Sequence, residues 1–394
     1  MITRLHIENF KSLVDFRMPT AEAESLAPFT VLVGLNGSGK STLLQAFEFI
    51  GQLVAGNVNQ WLHDRGWQAK ELLSAAPLRK SRTIRISLEW LDRNYGMIAW
   101  SLRYNPALGR STHETIKLLE NGKLLLELKD HQLKTAGADF QLITKFEKMD
   151  FVYEGSLLSL LTLADVHPAA AALKNGLVGL KSLELLSPHL MRSRAKTADD
   201  LGRGGEKLAA FLSTLDSAAL EGLNERLRAF YPHFQDISVK SLKAGWKDLR
   251  VSEDYGPGSE FGAAHLSDGM LRMVGVLAQA HARHSVVLFD EIENGVNQQI
   301  VEMLMDFLLE LSRERQVLVT THSPLILNYL PDDKAREGVV FLYKDSRGAT
   351  HAKRFFDLKQ VAWKLKALGP GEVFVDTDLT VLSANLAKNE GSAA

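Results

Sequence analysis

The chain has 394 residues, is 45% hydrophobic and 24% charged, and has a formal net charge of −1, as is typical of globular proteins. The near-neutral charge excludes a uniformly basic surface, and the absence of cysteine excludes disulfides, thiolate metal sites and thiol nucleophiles. No apolar run is long enough to span a membrane, and the first residues lack a signal-peptide core. We therefore expect a cytoplasmic protein with no membrane partner.

The N-terminal third reads as strands interrupted by one helix. Alternating apolar residues predict a strand over 2–10 with a partner over 14–18, and the run "FTVLVG" predicts a buried strand that ends at Gly34. Apolar residues at helical spacing predict an amphipathic helix over 43–54. Two more strands are predicted over 83–91 and 97–104, and Asn121-Gly122 predicts the turn of a hairpin over 115–128.

From about residue 140 the pattern changes to leucine- and alanine-rich segments broken by proline and glycine. Strand patterns return at "FQDISVKSL" and then alternate with helices. The predicted fold class is α/β, and the predicted domains are an N-terminal lobe (1–139), a helical insertion or lid (140–234), a C-terminal lobe (235–345), and an extension with a tail (346–394). We expect the last residues, 387–394, to be disordered.

A phosphate-binding loop stands between the buried strand and the amphipathic helix. "GLNGSGKS" fits G-x-x-x-x-G-K-[ST], and its place between a predicted strand and a predicted helix is the context expected of a phosphate-binding loop. Backbone N–H groups of such a loop surround phosphates, a lysine adds a point charge, and a serine hydroxyl completes a Mg²⁺ shell. The predicted cofactors are ATP and Mg²⁺, and the predicted binding residues are Gly34, Leu35, Asn36, Gly37, Ser38, Gly39, Lys40, Ser41 and Thr42.

Two further apolar strands end in residues that suit ATP hydrolysis. "SVVLFDE" ends in Asp290, a predicted Mg²⁺ ligand with Ser41, and in Glu291, a predicted general base for an attacking water. "QVLVTTHSP" places His322 where an imidazole can contact the γ-phosphate. Simpler interpretations are a helix cap for the acidic pair and a loop residue for the histidine.

These motifs, together with "HLSDGM" (265–270), resemble the ATP-binding-cassette (ABC) ATPases in order and type. The N-terminal "LHIENFKSL" and the wide gap before "LSDG" resemble the branch that includes structural-maintenance-of-chromosomes (SMC) proteins, RecF-type proteins and the overcoming-lysogenization-defect (OLD) ATPases. "LSDGMLR" followed by "DEIENG" is most similar to OLD-like ATPases of bacterial phage defence. The resemblance implies a P-loop NTPase with an ABC-ATPase head, a mixed sheet and an inserted helical lid.

The resemblance also implies a composite site between two chains. In these families the signature serine and glycine, here Ser267 and Gly269, contact the γ-phosphate bound by another subunit. It further implies a homo-oligomer of at least two chains, a catalytic set of Lys40, Glu291 and His322, and a role in phage defence or DNA repair. The simpler interpretation of Ser267 is a helix cap.

This chain departs from the family pattern at several positions. Asp268 and Met270 differ from the signature of transporters, no proline follows Glu291, and the glutamine loop cannot be assigned. The segment 187–194 is the candidate for its position.

The long gap between the phosphate loop and "LSDG" argues against a transporter subunit. The proline and glycine residues that interrupt the insertion argue against a long coiled-coil arm. Little chain follows Asp376 and Asp378, so we expect capping or turn formation there rather than a nuclease site, and expect any nuclease or toxin to be a separate partner. An ATP-gated scaffold with slow or no hydrolysis stays open. Nucleic acid is a further candidate partner, since basic clusters occur at 79–85, 192–196 and 240–250, although a solvated surface is the default interpretation.

Overall fold

The computed structural model describes residues 1–75, 81–129, 132–137, 139–146, 152–162, 166–183, 187–256 and 259–392. The strands are β1 (Ile2–Phe10), β2 (Leu13–Met18), β3 (Phe29–Val33), β4 (Ile84–Asp92), β5 (Gly96–Asn105), β6 (Arg110–Leu118), β7 (Leu124–Lys129), β8 (Gln132–Ala136), β9 (Leu142–Phe146), β10 (Leu180–Leu183), β11 (Phe234–Ser241), β12 (Lys247–Glu253), β13 (Glu260–Gly262), β14 (Val286–Phe289), β15 (Gln316–Thr320), β16 (Val339–Lys344) and β17 (Thr350–Arg354).

The α-helices lie mostly in the second half of the chain. They are α1 (Lys40–Ala55), α2 (Val58–Arg65), α3 (Pro168–Val178), α4 (Pro188–Met191), α5 (Leu208–Leu212), α6 (Ser217–Phe230), α7 (Asp268–Ala278), α8 (Gln298–Leu311), α9 (Pro324–Asn328), α10 (Asp332–Gly338), α11 (Lys359–Ala362), α12 (Pro370–Val375) and α13 (Leu379–Ser392). Short 3₁₀ turns join several of them.

The central sheet positions the predicted site. Its order is β10-β14-β15-β3-β16-β17, and all neighbours are parallel except the β16–β17 pair. The predicted buried strand is confirmed, because every residue of β3 is buried. Since the carboxyl ends of parallel strands meet at one edge, the segments after β3, β14 and β15 are brought together there.

Both faces of the central sheet are covered by separate hydrophobic cores. Leu32, Leu288 and Leu318 belong to the core shared with α1, α3 and the antiparallel sheet, whereas Val31 and Val319 belong to the core shared with α7 and α8. Successive side chains of a strand point to opposite faces, so a sheet covered on both sides needs the continuous apolar runs that the sequence shows.

The N-terminal strands form an eight-stranded antiparallel sheet in the order β2-β1-β4-β5-β6-β7-β8-β9. The predicted hairpin is confirmed, with Thr115 opposite Glu127 and Gly122 in the turn at φ +66°. A third sheet, β11-β12-β13, precedes α7.

The predicted helical insertion, 140–234, is not set apart from the two lobes. Its β9 extends the antiparallel sheet, its β10 forms the edge of the central sheet beside β14, and its α3 packs on α1. A strand of four residues cannot be distinguished from a helical segment by periodicity, and here its conformation depends on pairing with a distant strand.

The predicted disorder of residues 387–394 is wrong for the part that the structure describes, because α13 continues to Ser392. Glu390 accepts hydrogen bonds from Tyr343 Oη at 2.7 Å and Lys353 Nζ at 2.8 Å. These contacts attach the helix to β16 and β17.

Candidate nucleotide-binding site

The predicted phosphate loop connects β3 to α1 and is wedged against β16 and β17. A Cβ atom on Gly34 would lie 2.4 Å from Leu342 O, and one on Gly39 would lie 2.3 Å from Thr350 Oγ1. Both residues also have positive φ angles, +153° and +109°. Only glycine satisfies both conditions, so the motif glycines are needed for the path of this loop.

Lys40 lies inside the curve of the loop. Its ammonium donates to Gly34 O at 2.9 Å and to Leu35 O at 3.3 Å. Burial lowers the pKa of Lys40, and the nearby carboxylates of Asp290, Glu291 and Glu293 oppose this shift. The loop therefore contains one cationic side chain that faces an acidic group of residues.

Ser41 and Asp290 bring two oxygen ligands to the same place from different elements. Ser41 Oγ, in the first turn of α1, lies 3.4 Å from Asp290 Oδ2, directly after β14. The other carboxylate oxygen of Asp290 accepts from Thr320 Oγ1 at 2.5 Å, which fixes its orientation. A hydroxyl beside a carboxylate is a donor set that suits Mg²⁺ next to substrate phosphates.

Glu291 has a constrained backbone. Its φ is +46°, a left-handed conformation that non-glycine residues rarely adopt, and its N–H donates to Thr320 Oγ1 at 2.8 Å. Asn294 Nδ2 donates to Glu291 Oε2. The acidic pair is thus not a helix cap, since α8 begins only at Gln298. Strain held by neighbouring contacts is common at functional sites.

His322 follows β15 and joins the same group. Its N–H donates to Glu293 Oε1 at 2.8 Å, and Ser323 N–H donates to the same oxygen at 3.1 Å. Burial and the charge of Lys40 lower the pKa of His322 below its usual range. The imidazole is therefore neutral near pH 7.

Glu293 is a site residue that the sequence interpretation missed. Its Oε2 atom is buried and has no hydrogen-bond partner among the described residues. The sequence "DEIEN" contains a signal for this role, because Glu293 stands two residues after Glu291 and such a short spacing can place both carboxylates at the same site.

The signature residues lie on a different element. Ser267 caps α7, since its Oγ accepts from Met270 N–H at 3.2 Å, and its side chain is exposed. A Cβ atom on Gly269 would lie 2.5 Å from Gly295 O, so the start of α7 packs closely on the loop after Glu291. No hydrogen bond joins Ser267 or Gly269 to the phosphate loop within the described residues.

The candidate glutamine-loop segment, 187–194, lies between β10 and the signature. It follows β10, the neighbour of β14, and Arg192 donates to Leu266 O at 2.8 Å and to Asp268 Oδ1 at 2.7 Å. The segment thus connects the edge of the central sheet to the start of α7. Its assignment as the glutamine loop stays a prediction.

Asp376 and Asp378 have structural partners. Asp378 Oδ1 accepts from Thr380 N–H at 2.9 Å at the start of α13, and Asp376 pairs with Lys364 Nζ at 3.0 Å. Among the described residues, no group of three or more His, Asp or Glu side chains could hold a metal ion. Asp378 thus caps the start of α13.

Comparisons with known proteins agree with this geometry. Residues 1–154 match the family described as "AAA ATPase domain", and residues 180–328 match the family described as "AAA domain, putative AbiEii toxin, Type IV TA system". No characterised protein sequence matches the chain.

Two solved structures of SMC heads share the fold. One, an SMC head bound to the C-terminal winged-helix domain of ScpA, is 16% identical with a TM-score of 0.55 over 89% of this chain and 96% of that one. The other, an SMC head with an extended coiled coil bound to the C-terminal domain of ScpA from Pyrococcus furiosus, is 12% identical with a TM-score of 0.55 over 93% and 99%.

The fold is similar to that of SMC heads, and the loop between β3 and α1 has the glycines and the lysine of a P-loop. More particularly, each half of the chain is similar to an AAA-type ATPase family, which is consistent with the predicted SMC, RecF and OLD-like branch of ABC-type ATPases. No helix among the described residues is long and apolar enough to cross a membrane.

Proposed function

We propose that the chain is a cytoplasmic, Mg²⁺-dependent ATPase whose catalytic residues are Lys40, Glu291 and His322. The observation that supports it is the meeting of Ser41 with Asp290, and of Lys40 with the acidic loop, at the carboxyl edge of three neighbouring parallel strands. These residues fit Mg²⁺, which when bound neutralises charge on the phosphates.

Each residue has a distinct task in this proposal. Lys40 exchanges its loop carbonyls for phosphate oxygens, and Ser41 and Asp290 supply oxygen ligands. Glu291 accepts a proton from the attacking water once Asn294 releases its carboxylate. His322, neutral near pH 7, contacts the γ-phosphate through a ring nitrogen and responds to its loss.

The proposal includes a dimer in which each chain completes the other's site. The start of α7 presents Ser267, exposed and already capping, and free backbone N–H groups that favour an anion. Because no hydrogen bond among the described residues joins this helix start to the chain's own phosphate loop, a second copy is the natural source of the phosphate. Two ATP molecules would lie between two heads, as the resemblance implies.

A separate effector, such as a nuclease or toxin, is the proposed partner, and the proposed setting is phage defence or DNA repair. The family description that names a toxin of a toxin–antitoxin system supports the effector, and the solved SMC heads bound to ScpA show that related folds carry partner proteins.

An ATP-gated scaffold with slow turnover is the second candidate. The hydrogen bond from Asn294 to Glu291 favours it, because it already engages one oxygen of the proposed base.

Phosphate release from ATP by purified protein tests hydrolysis. Glu291→Gln should remove turnover and keep ATP binding, whereas Glu302→Gln, an exposed residue on α8, should change neither.

Native mass of Glu291→Gln protein with and without ATP and Mg²⁺ tests the dimer. The mass should increase with ATP, and an added Ser267→Arg should prevent this.

The matched control for the dimer is Ser217→Arg at the exposed start of α6. An equal loss of assembly in this control, or a monomer under all conditions, would contradict the composite site. Slow hydrolysis by wild-type protein with intact dimerisation would favour the scaffold.

A further inference from the structure

Two basic segments, 192–196 and 240–250, meet at the tip of the β11–β12 hairpin. Lys247 N–H donates to Ala195 O at 2.9 Å, and Lys196 Nζ lies 5.2 Å from the centroid of the Trp246 ring. The two segments together contain seven cationic side chains and one carboxylate, Asp248. Residues 79 and 80 of the third basic cluster lie outside the described residues. We use the name hairpin patch for Lys196, Lys240, Lys243, Trp246 and Lys247.

The arginines near the hairpin patch are engaged by carboxylates of the fold. Asp248 lies 3.1 Å from Arg194 Nε and 2.8 Å from Arg250 Nη2, and Arg192 pairs with Asp268 at 2.7 Å. By contrast, no lysine of the hairpin patch forms an ion pair with a carboxylate in the part of the chain that the structure describes. The one local acid is thus already neutralised, and the lysines keep a net positive charge at the surface.

Trp246 stands among these lysines with 40% of its surface exposed. Its position is fixed by a tight bend in which Ala244 and Gly245 have φ angles of +60° and +81° and Leu242 N–H donates to Trp246 O at 2.8 Å. A large aromatic ring at the tip of a hairpin has no apolar core to fill there. It is available as a flat surface for a ligand.

We propose that the hairpin patch binds single-stranded nucleic acid, with lysines against phosphates and a base stacked on Trp246. Flexible point charges beside an aromatic plane suit an unpaired strand, because its bases are free to stack and its backbone needs no fixed geometry. Recognition of protein carboxylates relies more on the planar fork of arginine, and the arginines here are already paired. The inference goes beyond ATP hydrolysis and does not depend on it.

The site also adjoins the proposed composite nucleotide site. Arg192, at the start of one basic segment, bonds Leu266 O and Asp268 directly before and after Ser267. The segment 192–196 therefore connects the hairpin patch to the residues on either side of Ser267.

Fluorescence anisotropy with labelled DNA and RNA strands tests the proposal, using the full chain in EDTA without nucleotide so that hydrolysis plays no part. The triple variant Lys196→Gln, Lys240→Gln, Lys243→Gln should lower affinity at least tenfold. It should also reduce the slope of log affinity against log salt by about 2, because each phosphate contact of a single strand contributes roughly 0.7 to that slope. The control with the same charge change is Lys344→Gln, Lys359→Gln, Lys366→Gln, on exposed lysines of other elements.

Substitution of the aromatic residue separates stacking from charge. Trp246→Ala should lower affinity for single strands about tenfold and leave duplex binding nearly unchanged, and Trp246→Phe should restore most of the loss. Equal losses in patch and control variants would overturn the proposal, since net charge alone would explain them. Binding of polyglutamate but not of nucleic acid by wild-type protein would also overturn it and assign the patch to an acidic protein.

Discussion

The carboxylates of Glu114, in the antiparallel sheet, and of Glu293, at the carboxyl edge of the central sheet, differ in how fully they are hydrogen-bonded. In the antiparallel sheet Glu114 is fully buried and accepts four hydrogen bonds, from Trp100 Nε1 (2.9 Å), Ser111 Oγ (2.9 Å), Ser156 Oγ (2.5 Å) and Leu157 N–H (2.7 Å). Burial raises the pKa of Glu114, and these donors counter the shift. Every lone-pair position of this carboxylate is used.

At the carboxyl edge of the central sheet, two buried polar atoms have unused hydrogen-bonding capacity. Ser38 Oγ in the phosphate loop and Glu293 Oε2 beside His322 are buried without a partner among the described residues. Buried polar atoms are normally paired, because an unpaired one costs about 1–3 kcal/mol. Glu114 thus joins elements of the fold with all of its hydrogen bonds, whereas Glu293 has one unpaired oxygen beside the proposed nucleotide site.

The largest expected effect concerns Glu291 at the proposed nucleotide site. Glu291→Gln should lower the rate of ATP hydrolysis about 10²- to 10⁴-fold, because the amide cannot accept a proton from water. Thermal unfolding should be unchanged, since the amide oxygen of the partly buried glutamine can still accept the hydrogen bond from Asn294. A coupled phosphate-release assay and a melting curve measure both. A large loss of stability would mean that Glu291 is structural like Glu114.

The next effect tests the saturated carboxylate. Glu114→Gln places N–H groups against donors and should lower the free energy of unfolding by about 1–3 kcal/mol. Urea denaturation measures it, and Glu127→Gln on β7, whose side chain is only partly buried, is the control. An unchanged midpoint would show that the four hydrogen bonds of Glu114 contribute little.

A third effect concerns the contact between α7 and the loop after Glu291. Gly269→Ala should lower ATP-dependent dimerisation and hydrolysis about tenfold, because its Cβ atom would overlap Gly295 O and displace the start of α7. ATP affinity of the single chain should not change. Gly222→Ala in α6, where a Cβ atom meets nothing within 4 Å, should be neutral or stabilise by about 0.5–1 kcal/mol. Equal activity in both variants would contradict this account.

The smallest effect concerns protonation of His322. Because its pKa is lowered in the folded state, the folded chain binds fewer protons than the unfolded chain below pH 6.5, so this group reduces stability as pH falls through that value and costs nothing above it. We expect hydrolysis to be nearly constant from pH 8 to 6.5 and to fall below that range. His322→Asn should show a smaller loss of stability on acidification, and an NMR titration of His322 with a pKa above 6.5 would contradict the prediction.

Most of the fold near the site could be predicted from the sequence. The buried β3, the glycine turn, α1 and the hairpin of β6 and β7 are specified by nearest neighbours in the chain, since apolar runs, turn residues and helical spacing act locally. The motifs also assigned Lys40, Ser41, Asp290, Glu291 and His322 to one nucleotide site, and the parallel strands that precede these residues end at one edge.

Only the tertiary structure decided the features that depend on distant segments. The strand β10 exists through pairing with β14, which lies far along the chain, and this pairing brings part of the predicted lid into the central sheet. Glu293 gains its role from two N–H groups after β15, and the hairpin patch forms because Ala195 pairs with Lys247. Such pairings are selected by packing of the whole chain, whose free energy is not contained in any local pattern.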